Sequence, residues 1–218
     1  NRTYETLWVL TAGTGLVDAV SYLGLGHVFV ANMTGNIVFL GFAANPASGL
    51  SAALALIALA AFMFGAATGG AVGHRIGESR AWPSSVLAAQ AVLLGGTATA
   101  AAVLGLARPV TVALLAFAFG LQNSTARRMA VPDLTTTVLT LTVTGLAADS
   151  RIAGGPGARP GRRIASITAM LVGAAAGALL VRVSVPATVG AVALTVLVAA
   201  VLLRSGQPGP NRATPSAP

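Results

Sequence analysis

Thr14-Gly15-Leu16-Val17-Asp18-Ala19-Val20-Ser21, followed by Val28-Phe29-Val30-Ala31-Asn32-Met33-Thr34-Gly35-Asn36, is the stretch on which the reading of this chain turns. It sets a carboxylate inside an apolar run and then interrupts the next apolar run with short polar side chains. Parts of it return further along. Gly15-Leu16-Val17-Asp18 recurs as Gly120-Leu121-Gln122-Asn123, Asn32-Met33-Thr34 as Asp133-Leu134-Thr135, and Gly65-Ala66-Ala67-Thr68-Gly69 as Gly173-Ala174-Ala175-Ala176-Gly177. The order is kept at offsets of about 105, 101 and 108 positions, which reads as a two-fold internal repeat of roughly half the chain. Repeat one covers about 7–106 and repeat two about 109–204 of a single membrane domain, 1–204, with a disordered tail over 205–218.

Composition identifies the solvent. Over 218 residues the chain is 55% hydrophobic and 8% charged, with mean hydropathy +0.82, too apolar for a water-soluble domain. The first apolar run carries Asp18 and continues without a convincing cleavage site, so it is expected to remain in the mature protein. A net charge of +8 rests entirely on arginine, placed near the ends of apolar segments or in short loops. That pattern orients membrane helices against the cytoplasmic side and argues against nucleic acid as a partner. Membrane lipid is the expected surrounding. With Cys 0 there is no disulfide framework and no thiolate metal site.

Six runs have the ~20 residues a bilayer-spanning helix needs: about 7–26, 50–73, 83–106, 109–128, 164–182 and 185–204. Two others are poorer. Val28 to Ala44 is broken by Asn32, Thr34, Gly35 and Asn36, and Leu134 to Ala148 is short and rich in threonine. The expected fold is an all-α integral membrane protein with six transmembrane helices plus two interrupted or re-entrant segments, or alternatively eight short crossings. With eight crossings and an internal N-terminus, Arg2, Arg108, Arg151, Arg159, Arg162, Arg163, Arg204 and Arg212 lie inside against Arg75, Arg80, Arg127, Arg128 and Arg182 outside. With two re-entrant segments, only Arg108 and Arg182 remain outside. The stronger bias favours the second arrangement, a bacterial inner-membrane location with both termini cytoplasmic, and halves inverted relative to each other. Gly154-Gly155-Pro156-Gly157 with the Arg159 to Arg163 cluster reads as a flexible cytoplasmic loop.

Asp18 is the leading functional candidate, because a carboxylate deep in a membrane helix persists only with a partner, a proton or a cavity. Thr11, Thr14, Asp18, Ser21 and Tyr22 follow three- and four-residue spacing and line one helix face. Asn32, Thr34 and Asn36 form a second group, where Gly35 gives backbone freedom. Gln122, Asn123, Asp133, Thr135, Thr136 and Thr137 are the counterparts in the other repeat. The bland alternatives are a protonated Asp18 bonded to a neighbouring helix, helix caps from Asn32 and its neighbours, and pairing of Asp133 with Arg127 and Arg128. Gly65, Gly69, Gly73, Gly173 and Gly177 read as packing ridges that join the repeats or make a homodimer. Tyr4, Trp8 and Trp82 read as interfacial anchors, and Gln90 as a helix–helix hydrogen bond.

No catalytic or metal-ligand constellation is complete. His27 and His74 are the only histidines, and neither fits a metal-binding spacing. No cofactor is expected, and an enzyme is not, although Asp18 with His27 would be the place for one. The quoted stretches resemble the YoaK-like bacterial membrane proteins, a family catalogued as a domain of unknown function. Gly120-Leu121-Gln122-Asn123 and Val131-Pro132-Asp133-Leu134-Thr135-Thr136-Thr137-Val138-Leu139-Thr140 look like its second signature. The resemblance implies the membrane class over nearly the whole chain and supplies no activity. A small-molecule or ion transporter or channel is therefore the expectation from the residues, and a non-transporting scaffold or partner subunit is the alternative.

Overall fold

The computed structural model describes residues 2–76, 81–129, 139–155, 157 and 160–206. Asp133, Thr135, Thr136, Thr137 and nearly all of the expected tail lie outside the described residues. Eight α-helices are seen among those described: α1 (Arg2–Gly24), α2 (Met33–Phe42), α3 (Ala52–Ile76), α4 (Trp82–Leu104), α5 (Arg108–Met129), α6 (Leu139–Ala148), α7 (Pro160–Leu180) and α8 (Val185–Ser205). Prolines mark the starts. Pro83 and Pro186 occupy the first turns of α4 and α8, where a missing N–H costs nothing. Ser184 Oγ accepts from the Ala187 N–H at 3.3 Å and caps α8. At its far end, α1 is turned off by Gly26 and His27, both with positive φ, while the His27 N–H donates to the Tyr22 carbonyl at 3.0 Å.

Five helices, α1, α3, α4, α7 and α8, are long and apolar enough to cross a membrane, and α2 and α6 are shorter apolar helices. α5, expected as a sixth span, has the length. Its last third, Gln122-Asn123-Ser124-Thr125 and then Arg127-Arg128, is too polar to reach the same hydropathy. The described part of the Arg159 to Arg163 cluster also departs from expectation. Arg162 and Arg163 sit in the first turn of α7, and Arg163 is buried, its guanidinium 2.8 Å from Asp149 Oδ2 and bonded to the Gly145 carbonyl. Pro160 starts the helix early, and Asp149 supplies the partner that makes burial of the charge tolerable.

Helices α1, α4, α5 and α8 supply most of the fully buried residues, among them Val17, Val20, Leu94, Leu115, Phe119, Val192 and Val196. α3 lies against α5 and α7 against α1; α4 packs on α8 and on α5, α1 on α8, α2 on α3, and α6 on α7. Met63, Phe64, Val92, Val103, Leu171 and Leu179 point outward. An apolar exterior of that extent is the surface of a protein dissolved in lipid.

Glycine sets the two closest seams. A methyl group at Gly120 would collide with the Phe62 carbonyl and come within 2.9 Å of the Ala66 nitrogen, and one at Gly65 would strike the Phe117 carbonyl. Across the other seam, Gly15 meets Met170 and Ala174, Gly173 meets Ala12, and Gly177 meets Leu16. These are backbone-to-backbone contacts of the kind that hold helices together in lipid. Both seams are parallel, since contact numbers rise together on each helix.

Side-chain contacts show which ends coincide. Arg2 bonds Ser205, and the Arg162 guanidinium lies 3.9 Å from the centre of the Tyr4 ring while donating to its hydroxyl at 2.8 Å. The Arg128 guanidinium sits 5.5 Å over the Trp82 ring, beside Gly73. Ala81, Ser84, Ser85, Ala200 and Arg204 line a common cavity of about 440 Å³. The starts of α1, α4 and α7 and the ends of α3, α5 and α8 therefore share one end of the bundle. Gly24 packs on Val181 and Val185, and Gly26 on Leu54, at the other. Trp82 differs from the expected interfacial anchor: it is 5% exposed beneath Arg128, because α4 starts inside the cluster of helix ends.

Gly120→Leu should force α3 from α5 and lower stability by about 1–3 kcal/mol or more, whereas Gly96→Ala, where an added carbon meets nothing within 4 Å, should leave it unchanged or slightly raised. Thermal unfolding in detergent checks the contrast; equal melting points would disprove backbone contact at the α3–α5 seam.

Candidate functional site within the membrane helices

Asp18 lies six residues before the end of α1, about 9 Å inside that end at 1.5 Å per residue. There its Oδ1 accepts from the N–H groups of Val30 and Ala31, at 3.1 and 2.9 Å. The chain between α1 and α2 has no helical or sheet partners of its own at this point, and amides without partners in lipid cost several kcal/mol each. The carboxylate removes that cost for two of them. Asn36, wholly buried, does the same one residue earlier: its Oδ1 accepts from the Phe29 N–H at 2.9 Å, and its Nδ2 donates to the Phe29 carbonyl at 2.6 Å. Asn32 Oδ1 accepts from the Gly35 N–H at 3.4 Å and caps α2. Asp18, Asn32 and Asn36 thus form one constellation built around an irregular strand of backbone.

Aromatic rings cover it. Tyr22 stacks on Phe29 with centroids 5.2 Å apart, Phe29 on Phe39 at 5.4 Å, and His27 meets the Tyr22 ring edge-on at 5.1 Å. The hydrogen-bonded groups are themselves buried, Asp18, Val30, Ala31 and Asn36 alike. Gly35 explains the close fit, since a methyl group there would lie 2.5 Å from the Phe29 ring.

The other candidates go elsewhere. Thr14 is buried, but its hydroxyl donates to the Leu10 carbonyl on its own helix at 3.0 Å, as Thr11 does to Leu7 and Ser21 to Asp18. Thr34 is exposed on α2. Asn123 donates to the Phe119 carbonyl at 2.9 Å. Gln122 pairs with Gln90, whose Nε2 donates to Gln122 Oε1 at 2.9 Å across the α4–α5 seam. That pairing agrees with the helix–helix role expected of Gln90. Sequence reasoning missed the aromatic cover, although Tyr22, His27, Phe29 and Phe39 lie close enough along the chain to have suggested it. Among the described residues no three His, Asp or Glu side chains come together as a metal site would require.

A family described as a protein of unknown function (DUF1275) matches residues 6–203. The chain belongs to that family. It is also 35% identical over 156 residues to UPF0700 transmembrane protein YoaK of Bacillus subtilis (strain 168), a match covering 68% of this chain and 66% of the relative. The matched part thus falls just short of two thirds of the relative's length. No solved structure matches the chain. Membership in a family with a transmembrane relative agrees with the apolar exterior and the five membrane-length helices; this member is an integral membrane protein.

Asp18→Ala strands two buried amides, each unmet group costing about 1–3 kcal/mol, so a loss of about 2 kcal/mol or more is expected. Asp18→Asn keeps an acceptor oxygen and should lose less. Thermal unfolding of both variants in detergent measures the difference; an Ala variant as stable as wild type would show that the carboxylate does not hold the 29–31 backbone.

Proposed function

We propose that this protein moves a small solute or an ion across the bacterial inner membrane through a path between two inverted halves. The observation that carries the reading is the irregular backbone at Phe29 to Ala31, held about 9 Å deep by Asp18 and Asn36. Non-helical backbone at such depth is tolerated where protein surrounds it or a water-filled cavity adjoins it, and interrupted segments of this type form the sites of many transporters.

The packing of the ends supports the inversion. α1 leaves the arginine-rich end and α3 begins at the opposite one, so the segment between them returns to the side from which it started. α5 arrives at the arginine-rich end and α7 leaves from it, so the same holds of the second segment, on the other side. Both segments are re-entrant on this reading and six helices cross. Arg2, Arg75, Arg127, Arg128, Arg151, Arg162, Arg163 and Arg204 then face the cytoplasm, with both termini, against Arg108 and Arg182 outside. The pairing of helices supports two repeats: exchanging α1 with α5, α2 with α6, α3 with α7 and α4 with α8 leaves the pattern of neighbours unchanged.

A non-transporting scaffold is the second reading, favoured by the hydroxyls of Thr11, Thr14 and Ser21, which all bond within their own helix. Proteoliposomes decide between the two. Flux of at least one member of a panel of amino acids, sugars, small amides and monovalent and divalent cations is expected above empty vesicles, and no flux of any would favour the scaffold. Topology has its own check, because a chain with Cys 0 accepts single reporter cysteines. Cysteines at Arg128 and Gly154 should react only from the cytoplasm and one at Arg108 only from outside. External labelling at Arg128 with internal labelling at Gly154 would make the intervening segment a full crossing and the halves parallel.

A further inference from the structure

The α4–α5 seam holds polar atoms that the fold does not use. Gln90 and Gln122 are 0% and 1% exposed and share one hydrogen bond of 2.9 Å. Gln90 Oε1 and Gln122 Nε2 have no partner among the described residues. A buried amide left half-bonded carries an uncompensated desolvation cost for each unmet group, and lipid offers no relief. Helix packing does not demand the pair. Counted from the proline in the first turn, the residue of α8 that corresponds to Gln90 is Ala193; counted from Gly15 and Gly120, the residue of α1 that corresponds to Gln122 is Val17. Both are buried and apolar. At these corresponding positions one seam has hydrocarbon, while the other retains two amides at a cost.

We propose that Gln90 and Gln122 form a solute-binding station, taking small neutral molecules that carry both a hydrogen-bond donor and an acceptor, such as carboxamides. This rests on the transport reading above and narrows its substrate class. Gln90 Oε1 offers an acceptor and Gln122 Nε2 a donor, with no formal charge on either. A bare cation meets an N–H dipole of the wrong sign, and an anion a carbonyl of the wrong sign. A primary amide satisfies both groups at once. The station lies seven residues before the end of α5, about 10 Å inside the cytoplasmic end, so it meets a solute from the side opposite Asp18. The hydrogen bond between the two side chains closes the seam when no solute is present.

Acetamide is the probe, with sodium as the ionic control. Stopped-flow light scattering on proteoliposomes reads solute and water entry, and acetamide-dependent shifts of the melting point in detergent read binding separately. Wild type should pass acetamide faster than empty vesicles and should not pass sodium. Gln90→Leu/Gln122→Leu keeps similar bulk and removes both amides; acetamide flux should fall about tenfold, as expected for two neutral hydrogen bonds, and the melting-point shift should vanish while the melting point without solute holds or rises. Gln90→Met/Gln122→Met gives the same test should the leucine pair not fold. Unchanged acetamide flux and binding in the double variant would overturn the station and leave transport standing. Loss of water permeability alone would make the occupant water and overturn the solute class. Sodium flux without acetamide flux or binding would overturn the class and keep transport, and silence of wild type toward the whole panel together with no acetamide shift would overturn both.

Discussion

The interaction on which the first half of the molecule depends is the pair of hydrogen bonds from the Val30 and Ala31 amides to Asp18 Oδ1. A chain that leaves a helix inside a bilayer loses its backbone partners at the moment when no water can replace them. Side chains must stand in. An amide N–H requires an acceptor, and a carboxyl oxygen carries two lone pairs, so one Asp oxygen serves two successive amides. Phe29 has both an N–H and a carbonyl to satisfy, and an Asn side chain carries one of each; Asn36 meets them together. The residue types follow from the inventory of unmatched groups.

Once that turn is held, the rest of the half is constrained. α2 starts at Met33 beneath the Asn32 cap and runs ten residues to Phe42, about 15 Å of rise, roughly half the thickness of a bilayer's hydrocarbon core. α3 must then start near where α1 ended, which Gly26 beside Leu54 shows it does. From there α3 runs alongside α5 and not α1. Parallel neighbours cannot be consecutive helices joined by a short loop, so the two halves are interleaved, each lending its third helix to the first helix of the other. Glycine makes the exchange possible. With Gly65 against Phe117 and Gly120 against Phe62, dispersion between close backbones replaces the hydrophobic effect, which is absent between helices in lipid.

Much of this was legible in the sequence because lipid simplifies the code. Helix spans fell within a few residues of expectation, since a membrane helix announces itself by length and hydropathy alone. Gly65, Gly69, Gly173 and Gly177 were legible as packing positions, but their partners were not, because spacing says that a face is small and says nothing of what lies on it. Asp18 on its helix face, and Asn32 with Asn36 in a second group, stood out in the sequence as polar residues within apolar runs, whereas the bonding of Asp18 and Asn36 to backbone 29–31 required coordinates: sequence lists polar side chains and hides unmet amides. Thr14 and Thr11 looked like members of a polar face, yet a threonine hydroxyl in a helix bonds readily to the carbonyl four residues back, so periodicity overstated that face. Arg162 and Arg163 looked like loop residues because charge and nearby glycine mark loops; Tyr4 and Asp149 as distant partners reversed that.

The two polar groups in the membrane helices differ in a way that bears on movement. Asp18 is bonded to backbone, and breaking those bonds would strip two amides of the acceptor they have, so this part of the molecule resists movement. Gln90 and Gln122 are bonded to each other, side chain to side chain, and their separation unmakes no backbone hydrogen bond. Each amide already has an unmet group, so a polar solute that enters the seam adds bonds as the existing one is lost. Opening α4 against α5 at this level therefore breaks one side-chain bond, while the turn held by Asp18 lies toward the opposite end of the bundle. On the transport reading proposed above, a held turn on one side and a separable seam on the other would give two unequal barriers, the asymmetry that a path needs if solute is to enter from one face at a time.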